Sequence, residues 1–221
     1  LFTASPGLSM VGCDLAGVEL RMLAHYLARW DGGRYAKVLL HGDIHQENAD
    51  KIGVSRKLVK TISYAFLYGA GDQKLGLSYD KQLSPDKAKK KGKEIRKAYI
   101  DAIPGLEKLL EGVHKASEKG FVRGIDKRKI LVDSKHKSLN YLIQGSSAVL
   151  AKKWMLLTHE NLPPTAKQLA FVHDELQFEC KEEDVEDLKF LLELSATQAG
   201  EYYNLRCPIA AESKSGSTWA D

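Results

Sequence analysis

Apolar residues recur along the chain in strand-like and helix-like rhythms, and each rhythm predicts an element. The run Ser9-Met-Val-Gly-Cys-Asp14 is short, mostly apolar and ends at a carboxylate, which predicts a buried strand. From 17 to 30, Val18, Leu20, Met22, Leu23, Tyr26 and Leu27 recur at helical spacing. Shorter helices are predicted over 35–40 and 43–51, the second with Asp43 as its N-cap and Gly53 as its stop. The clearest helix opens at Ser55. Val59, Ile62 and Phe66 step by three and four onto a core-facing side. Arg56, Lys60 and Tyr64 step by four along another side, drifting by about 40° per step. Gly69-Ala-Gly71 ends that helix. A strongly basic helix is predicted over 84–99 with Pro85 in its first turn, and a further helical stretch runs from Pro104 to about 119.

Beyond residue 120 the pattern changes. Residues 121–123 and 129–132 read as two short strands around a turn, and a long helix is predicted over 137–160, closed by Pro163-Pro164. Residues 168–172 and 176–180 are two β-like runs with His173-Asp174-Glu175 at their junction. A helix over 182–199 and a last strand over 207–212 complete the chain, while 74–83 (KLGLSYDKQL) matches no pattern. There is no internal repeat. Strand, helices, hairpin, last strand: this order implies an α+β fold, an antiparallel sheet with a helical insertion, not alternating βαβ units.

Composition narrows the class. The 221 residues suit one large domain or two small ones, and 43% apolar content can supply a core. The longest apolar run, near Tyr64–Tyr68, is far short of the about 20 residues of a membrane-spanning helix, so no membrane partner is expected. The first residues carry no signal-peptide pattern. Cys13, Cys180 and Cys207 are too scattered for a disulfide framework or a paired zinc motif, which points to a reduced, cytoplasmic setting. Net charge is +4, but Lys and Arg outnumber acids eight to two over 81–100 and eight to three over 115–137, whereas from Asp174 onward twelve acids face four bases. A basic middle suits an anionic partner such as nucleic acid; it also suits a solvated helix face.

Two features could carry chemistry. Asp14 and Asp174 each end or join an apolar strand, 160 residues apart in sequence. If those strands pair, the two carboxylates could hold two divalent cations, and Mg²⁺ suits such a site because it takes few protein carboxylates and completes its shell with substrate phosphates. From spacing alone, an aspartate after a strand is usually an ordinary turn residue. The Arg56/Lys60/Tyr64 side offers two cations one turn apart for a triphosphate and a ring for a base, or else the polar side of an amphipathic helix.

The residues also resemble a known family. Asp14-Leu-Ala-Gly-Val-Glu19-Leu-Arg21 resembles the first catalytic motif of family A, or polymerase I-like, DNA polymerases. Gly42-Asp-Ile-His45 resembles a fingers segment, and Arg56-x3-Lys60-x3-Tyr64-x3-Tyr68-Gly69 the nucleotide-binding O helix. Leu139-Asn140-x3-Gln144-Gly145 resembles the template–primer helix, and Val172-His173-Asp174-Glu175 the second catalytic motif. Five motifs stand in the family's order over 11–180, with phrasing (FLYGAGDQKLG, RGIDKRKILV) similar to phage replicative members.

That resemblance implies a template-directed polymerase that joins dNTPs to a primer 3′-hydroxyl, with primer–template DNA as partner and two Mg²⁺ ions as cofactors. Asp14, Asp174 and the carbonyl of Leu15 would be metal ligands, and Glu175 a supporting carboxylate. His45, Arg56 and Lys60 would hold the triphosphate, with Lys60 placed to protonate the leaving pyrophosphate. Tyr64 would stack on the incoming nucleotide, and Glu19 with Tyr68 would exclude a 2′-hydroxyl. Gln144 and His173 would contact the duplex minor groove near the primer terminus, and Arg128 the DNA backbone.

The resemblance further implies that residues 1–32 begin a palm, that 33–135 are mainly fingers with the O helix at 55–69, and that 136–221 complete the palm. The match starts almost at the first residue, so the thumb and exonuclease domains of the family are expected to lie outside this chain, on a missing N-terminal portion or a separate chain. Phage encoding would place it in the host cytoplasm. The expected behaviour is that the chain folds but extends primers poorly alone, or binds primer–template without turnover. Two rivals are weaker: an HD-type phosphohydrolase built on His173-Asp174, whose family puts the pair on a helix, and a zinc site from His41 and His45, which lacks further ligands.

Overall fold

The apolar run that ends at Asp14 is strand β1 (Ser9–Leu15), and it lies inside an antiparallel sheet of order β4-β5-β1-β6. The computed structural model describes residues 2–220. β4 (Lys167–Val172) and β5 (Glu175–Cys180) form a hairpin, and β6 (Ala211–Gly216) closes the other edge. Val11, Cys13, Leu15, Leu176, Phe178 and Cys180 alternate onto one face and are almost fully buried, as a sheet with period-two side chains requires. The sheet-covering helix α9 (Val185–Tyr202) packs against β1 and β6, and the long α8 (Ser138–Glu160) is tied to it where the buried Trp154 indole N–H donates to the Leu192 carbonyl at 2.8 Å. A 3₁₀ turn over Glu182–Asp184 precedes α9. β5 is buried on both faces, so even Gln177 (3% exposed) and Glu179 (8%) lie inside.

The sheet belongs to one compact unit, Leu1–Arg21 with Ser146–Asp221; the second unit, Met22–Gly145, is inserted between those two segments. The insertion is mainly helical. It holds α2 (Arg34–His41), α3 (Ile44–Ile52), α4 (Arg56–Leu67), α5 (Asp72–Tyr79), α6 (Pro85–Ala102) and α7 (Leu106–Ser117). A small hairpin, β2 (Phe121–Arg123) with β3 (Lys129–Leu131), follows. Both unit boundaries fall inside helices, one in α1 (Val18–Asp31) and one in α8. The observed α+β architecture, an antiparallel sheet interrupted by a helical insertion, agrees with the reading of the sequence.

The local signals act as expected where the physics is local. Asp43 caps α3 by accepting from the His45 and Gln46 amides, and Gly53 ends it in the left-handed region (φ 75°). Ser55 caps α4 through the Leu58 amide, and Val59, Ile62 and Phe66 are buried on its inner side.

Two expectations are corrected. The last strand lies at Ala211–Gly216 rather than 207–212. Residues 207–210 precede the strand: Cys207 and Ile209 are buried, and Pro208 has no N–H to give while its carbonyl accepts from Arg21. Pairing starts opposite Leu15, and the edge strand is polar (AESKSG), so its alternation is weak. The unassigned segment holds most of α5, an eight-residue helix with Gly76 inside it. Gly76 and Gly92 let α5 and α6 touch backbone to backbone. A Cβ on Gly76 would come within 1.9 Å of the Ala88 carbonyl, and one on Gly92 within 1.7 Å of the Asp72 carbonyl. Helix propensity alone penalises both glycines, which is why the sequence pattern hides this helix.

Candidate functional site

The sheet brings the two remote aspartates together. Asp14, next to last in β1, faces Glu175 on β5, and the Leu15 amide donates to the Asp174 main-chain carbonyl at 3.0 Å. His173-Asp174 form the two-residue turn of the β4–β5 hairpin, because Val172 pairs directly with Glu175; His173 takes the left-handed backbone (φ 57°) that tight hairpin turns use. On its other side Asp14 faces Glu212 of β6, so Glu175, Asp14 and Glu212 stand in one row across three strands. The row below reads Gln177, Gly12, Lys214. Glu19, in the first turn of α1, adds its charge to the same end of the sheet.

Like charges side by side across strands repel. Partial burial and then the charges of Asp174, Glu175, Glu212 and Glu19 push the Asp14 carboxyl up to about 6. Asp174 is raised as well, by burial and by Glu19 and Glu175. Glu175 is held from the side: its Oε1 accepts from the Trp219 indole N–H at 2.8 Å and from the Gln177 side-chain amide. Gly12 makes room for that amide, since a Cβ there would lie 2.4 Å from Gln177 Nε2. A cavity of about 250 Å³ opens here, lined by Gly12, Asp14, Glu175, Gln177, Glu212 and Trp219 among others. Among the described residues no group of three or more His, Cys, Asp or Glu converges as a ready-made metal cage.

The helical unit assembles a different set. Arg56 opens α4, Lys60 and Tyr64 follow at one-turn intervals, and Tyr68 caps its end. Arg56 and Lys60 are exposed, and the Tyr64 and Tyr68 rings lie nearly parallel at 6.4 Å. His45, the second residue of α3, packs 6.3 Å from Tyr64 and is 8% exposed, with its Nδ1 buried and without a hydrogen-bond partner. Burial, then the Arg56 and Lys60 charges, lower its pKa, so the ring is neutral near pH 7. This side of the unit therefore offers two cations, a neutral imidazole and two rings.

A family model for DNA polymerase family A matches residues 1–221. The chain belongs to DNA polymerase family A. It is 32% identical over 238 residues to the DNA-directed DNA polymerase of Enterobacteria phage T3 and 33% identical over 235 residues to that of Escherichia phage T7, in each case across 95% of this chain. A DNA polymerase I from Aquifex aeolicus is 28% identical across 99% of it. This family A chain spans about a third of the two phage relatives (33% and 32%) and 40% of the Aquifex protein. Its fold matches the POL domain of Pol1 from M. smegmatis, solved as a complex with DNA primer–template and dNTP, with a TM-score of 0.80 at 24% identity, over 99% of this chain and 41% of that one.

The rival readings lose their footing. His173-Asp174 lies in a hairpin turn and not on a helix, and His41 ends α2 while His45 lies in α3, so Gly42-Asp43 separates the would-be zinc pair. Two other residues singled out from the sequence have local surroundings of their own. Gln144 is exposed on α8, beside Gly145, whose missing side chain admits Ile130 of β3 (2.7 Å to a built Cβ). Arg128 is paired with Asp126 in its own loop. Sequence reasoning missed Glu212 and Gln177, which strand register brings to the cavity beside Asp14, and Trp219, which follows β6 and joins them by donating to Glu175. It also missed the second role of Asp43, which holds Arg56 at 2.6 Å while capping α3. All three cysteines are free and buried, and no helix among the described residues is long and apolar enough to cross a membrane.

Proposed function

We propose that this chain carries the nucleotidyl-transfer site of a template-directed DNA polymerase, joining a dNTP to a primer 3′-hydroxyl with loss of pyrophosphate. The observation that supports it most is the meeting of Asp14 and Asp174 at one end of the sheet, crowded by further carboxylates. Crowded carboxylates with raised pKa values fit a divalent cation, and Mg²⁺ needs only one or two of them, so the lack of a larger cage is no obstacle. Asp14, Asp174 and the Leu15 carbonyl would be the ligands for two ions, which when bound would stabilise the attacking and leaving oxygens of the displacement.

The chain's own residues would do the rest. The Arg56 guanidinium would take phosphate oxygens as a fork and Lys60 as a point charge, and neutral His45 would donate a hydrogen bond to the same group. Lys60 would protonate the departing pyrophosphate. Tyr64 would stack on the incoming base, while Glu19 and Tyr68 would act at the sugar and exclude a 2′-hydroxyl. Gln144 and His173 would read the minor groove, where acceptors are shared by all base pairs, and Arg128 would touch the backbone. The sheet unit would serve as palm and most of the helical unit as fingers.

A second reading is a non-catalytic primer–template-binding fragment that needs a separate thumb-bearing chain; the chain spans about a third of its phage relatives. One experiment decides. Single-nucleotide incorporation with Mg²⁺ is measured for this chain alone and with the N-terminal two-thirds of a phage relative supplied separately, beside Asp14→Asn and Asp174→Asn. Incorporation by the wild type that both substitutions abolish supports the polymerase. DNA binding with no incorporation in either setting supports the binding portion.

A further inference from the structure

Asp43 is engaged at both carboxylate oxygens, and each serves a different residue of the proposed nucleotide site. Oδ1 accepts from the His45 and Gln46 amides at 3.1 and 3.0 Å, fixing the first turn of α3 and with it His45. Oδ2 accepts from Arg56 Nε at 2.6 Å, which ties α4 to the same carboxylate. The ion pair engages the guanidinium through Nε, and the Arg56 side chain is about half exposed (51%), which leaves its two-pronged end accessible to a phosphate. The imidazole of His45, 6.3 Å from Tyr64, keeps a buried Nδ1 without a partner. One side chain thus sets the position of both groups.

We propose that Asp43 is a positioning residue for triphosphate recognition: a clasp that orients Arg56 from behind and locks it to the turn that presents His45. The inference rests on the reading of Arg56 as a triphosphate ligand and goes beyond it, because Asp43 touches no substrate. A long arginine side chain has many rotamers, and fixing it before the ligand arrives lowers the entropy lost on binding. The opposite effect is also physical. A carboxylate next to a triphosphate repels it, and a clasp that had to open would weaken binding. Engagement through Nε favours orientation, since the fork need not be released.

The test is a double-mutant cycle on the full chain, titrated by calorimetry with inorganic tripolyphosphate in EDTA at low salt, so that the carboxylates of the sheet unit play no part. Asp43→Asn keeps a cap acceptor, so its melting temperature should stay within about 2 °C of the wild type, and Asp43→Ser is a second capping variant. Arg56→Ala should weaken binding about tenfold or more, as loss of a charge-assisted contact does. Asp43→Asn should weaken it about threefold, the scale of an exposed ion pair. In the Arg56→Ala background Asp43→Asn should change nothing further. Equal or tighter binding by both Asp43 variants overturns the clasp and leaves the triphosphate reading intact, as does a loss that persists without Arg56. No effect of Arg56→Ala, or no saturable binding by the wild type, overturns both.

Discussion

Replacing Asp14 by Asn should make the metal-free protein more stable while removing the proposed activity. The Asp14 carboxyl is held at about 6 against an ordinary value of 3.8, so the folded state binds its proton more tightly than the unfolded chain does. For an acid shifted upward, folding loses stability as pH rises from about 4 through about 6, and the full penalty is present above that range. A rise of that size sets an upper bound of about 3 kcal/mol. Asp14 is more than a third exposed, and solvent screening reduces this to about 1 kcal/mol. Asparagine keeps the shape and carries no charge, so the gain should be about 1 kcal/mol at pH 8 and should shrink as the pH falls through about 4.5 toward the ordinary carboxylate range. For a chain of this size it corresponds to a rise of about 2–4 °C in melting temperature at pH 8. Thermal unfolding of both proteins in EDTA at the two pH values measures it. A loss of stability at pH 8, or a gain of the same size at both pH values, would refute the claim that burial and repulsion from Asp174, Glu175 and Glu212 set the behaviour of this residue.

Three further outcomes follow from single contacts. Gly92→Ala should destabilise by about 3 kcal/mol although alanine is favoured in helices by about 1 kcal/mol, because the new Cβ would sit 1.7 Å from a backbone carbonyl that cannot turn aside; chemical denaturation showing any stabilisation would contradict the α5–α6 contact. Trp219→Phe keeps a ring but removes the donor to Glu175, costing about 1–2 kcal/mol, and Glu175→Gln in the same protein should then add little; full additivity would show that the two side chains do not interact. Trp154→Phe removes the buried hydrogen bond to the Leu192 carbonyl and should cost about 1–3 kcal/mol in urea unfolding, with an unchanged melting temperature counting against that bond.

The chain by itself determined what depends on neighbours in sequence. Asp43, Gly53, Ser55 and Pro85 mark helix ends by local hydrogen bonding and backbone freedom, and Val59, Ile62 and Phe66 define an inner side by spacing alone. The ordered motifs made the family legible as well, including Asp14, Asp174 and the Arg56–Tyr68 series. Only the tertiary structure decided the rest. Glu212 and Gln177 reach the surroundings of Asp14 through strand register, with Trp219 joining them through its bond to Glu175, and register depends on which residues of distant strands pair. α5 exists because α6 packs against it at two glycines that local propensity counts as breakers. Short-range spacing reports local geometry; the free energy of bringing segments more than a hundred residues apart into contact is a property of the whole packed chain.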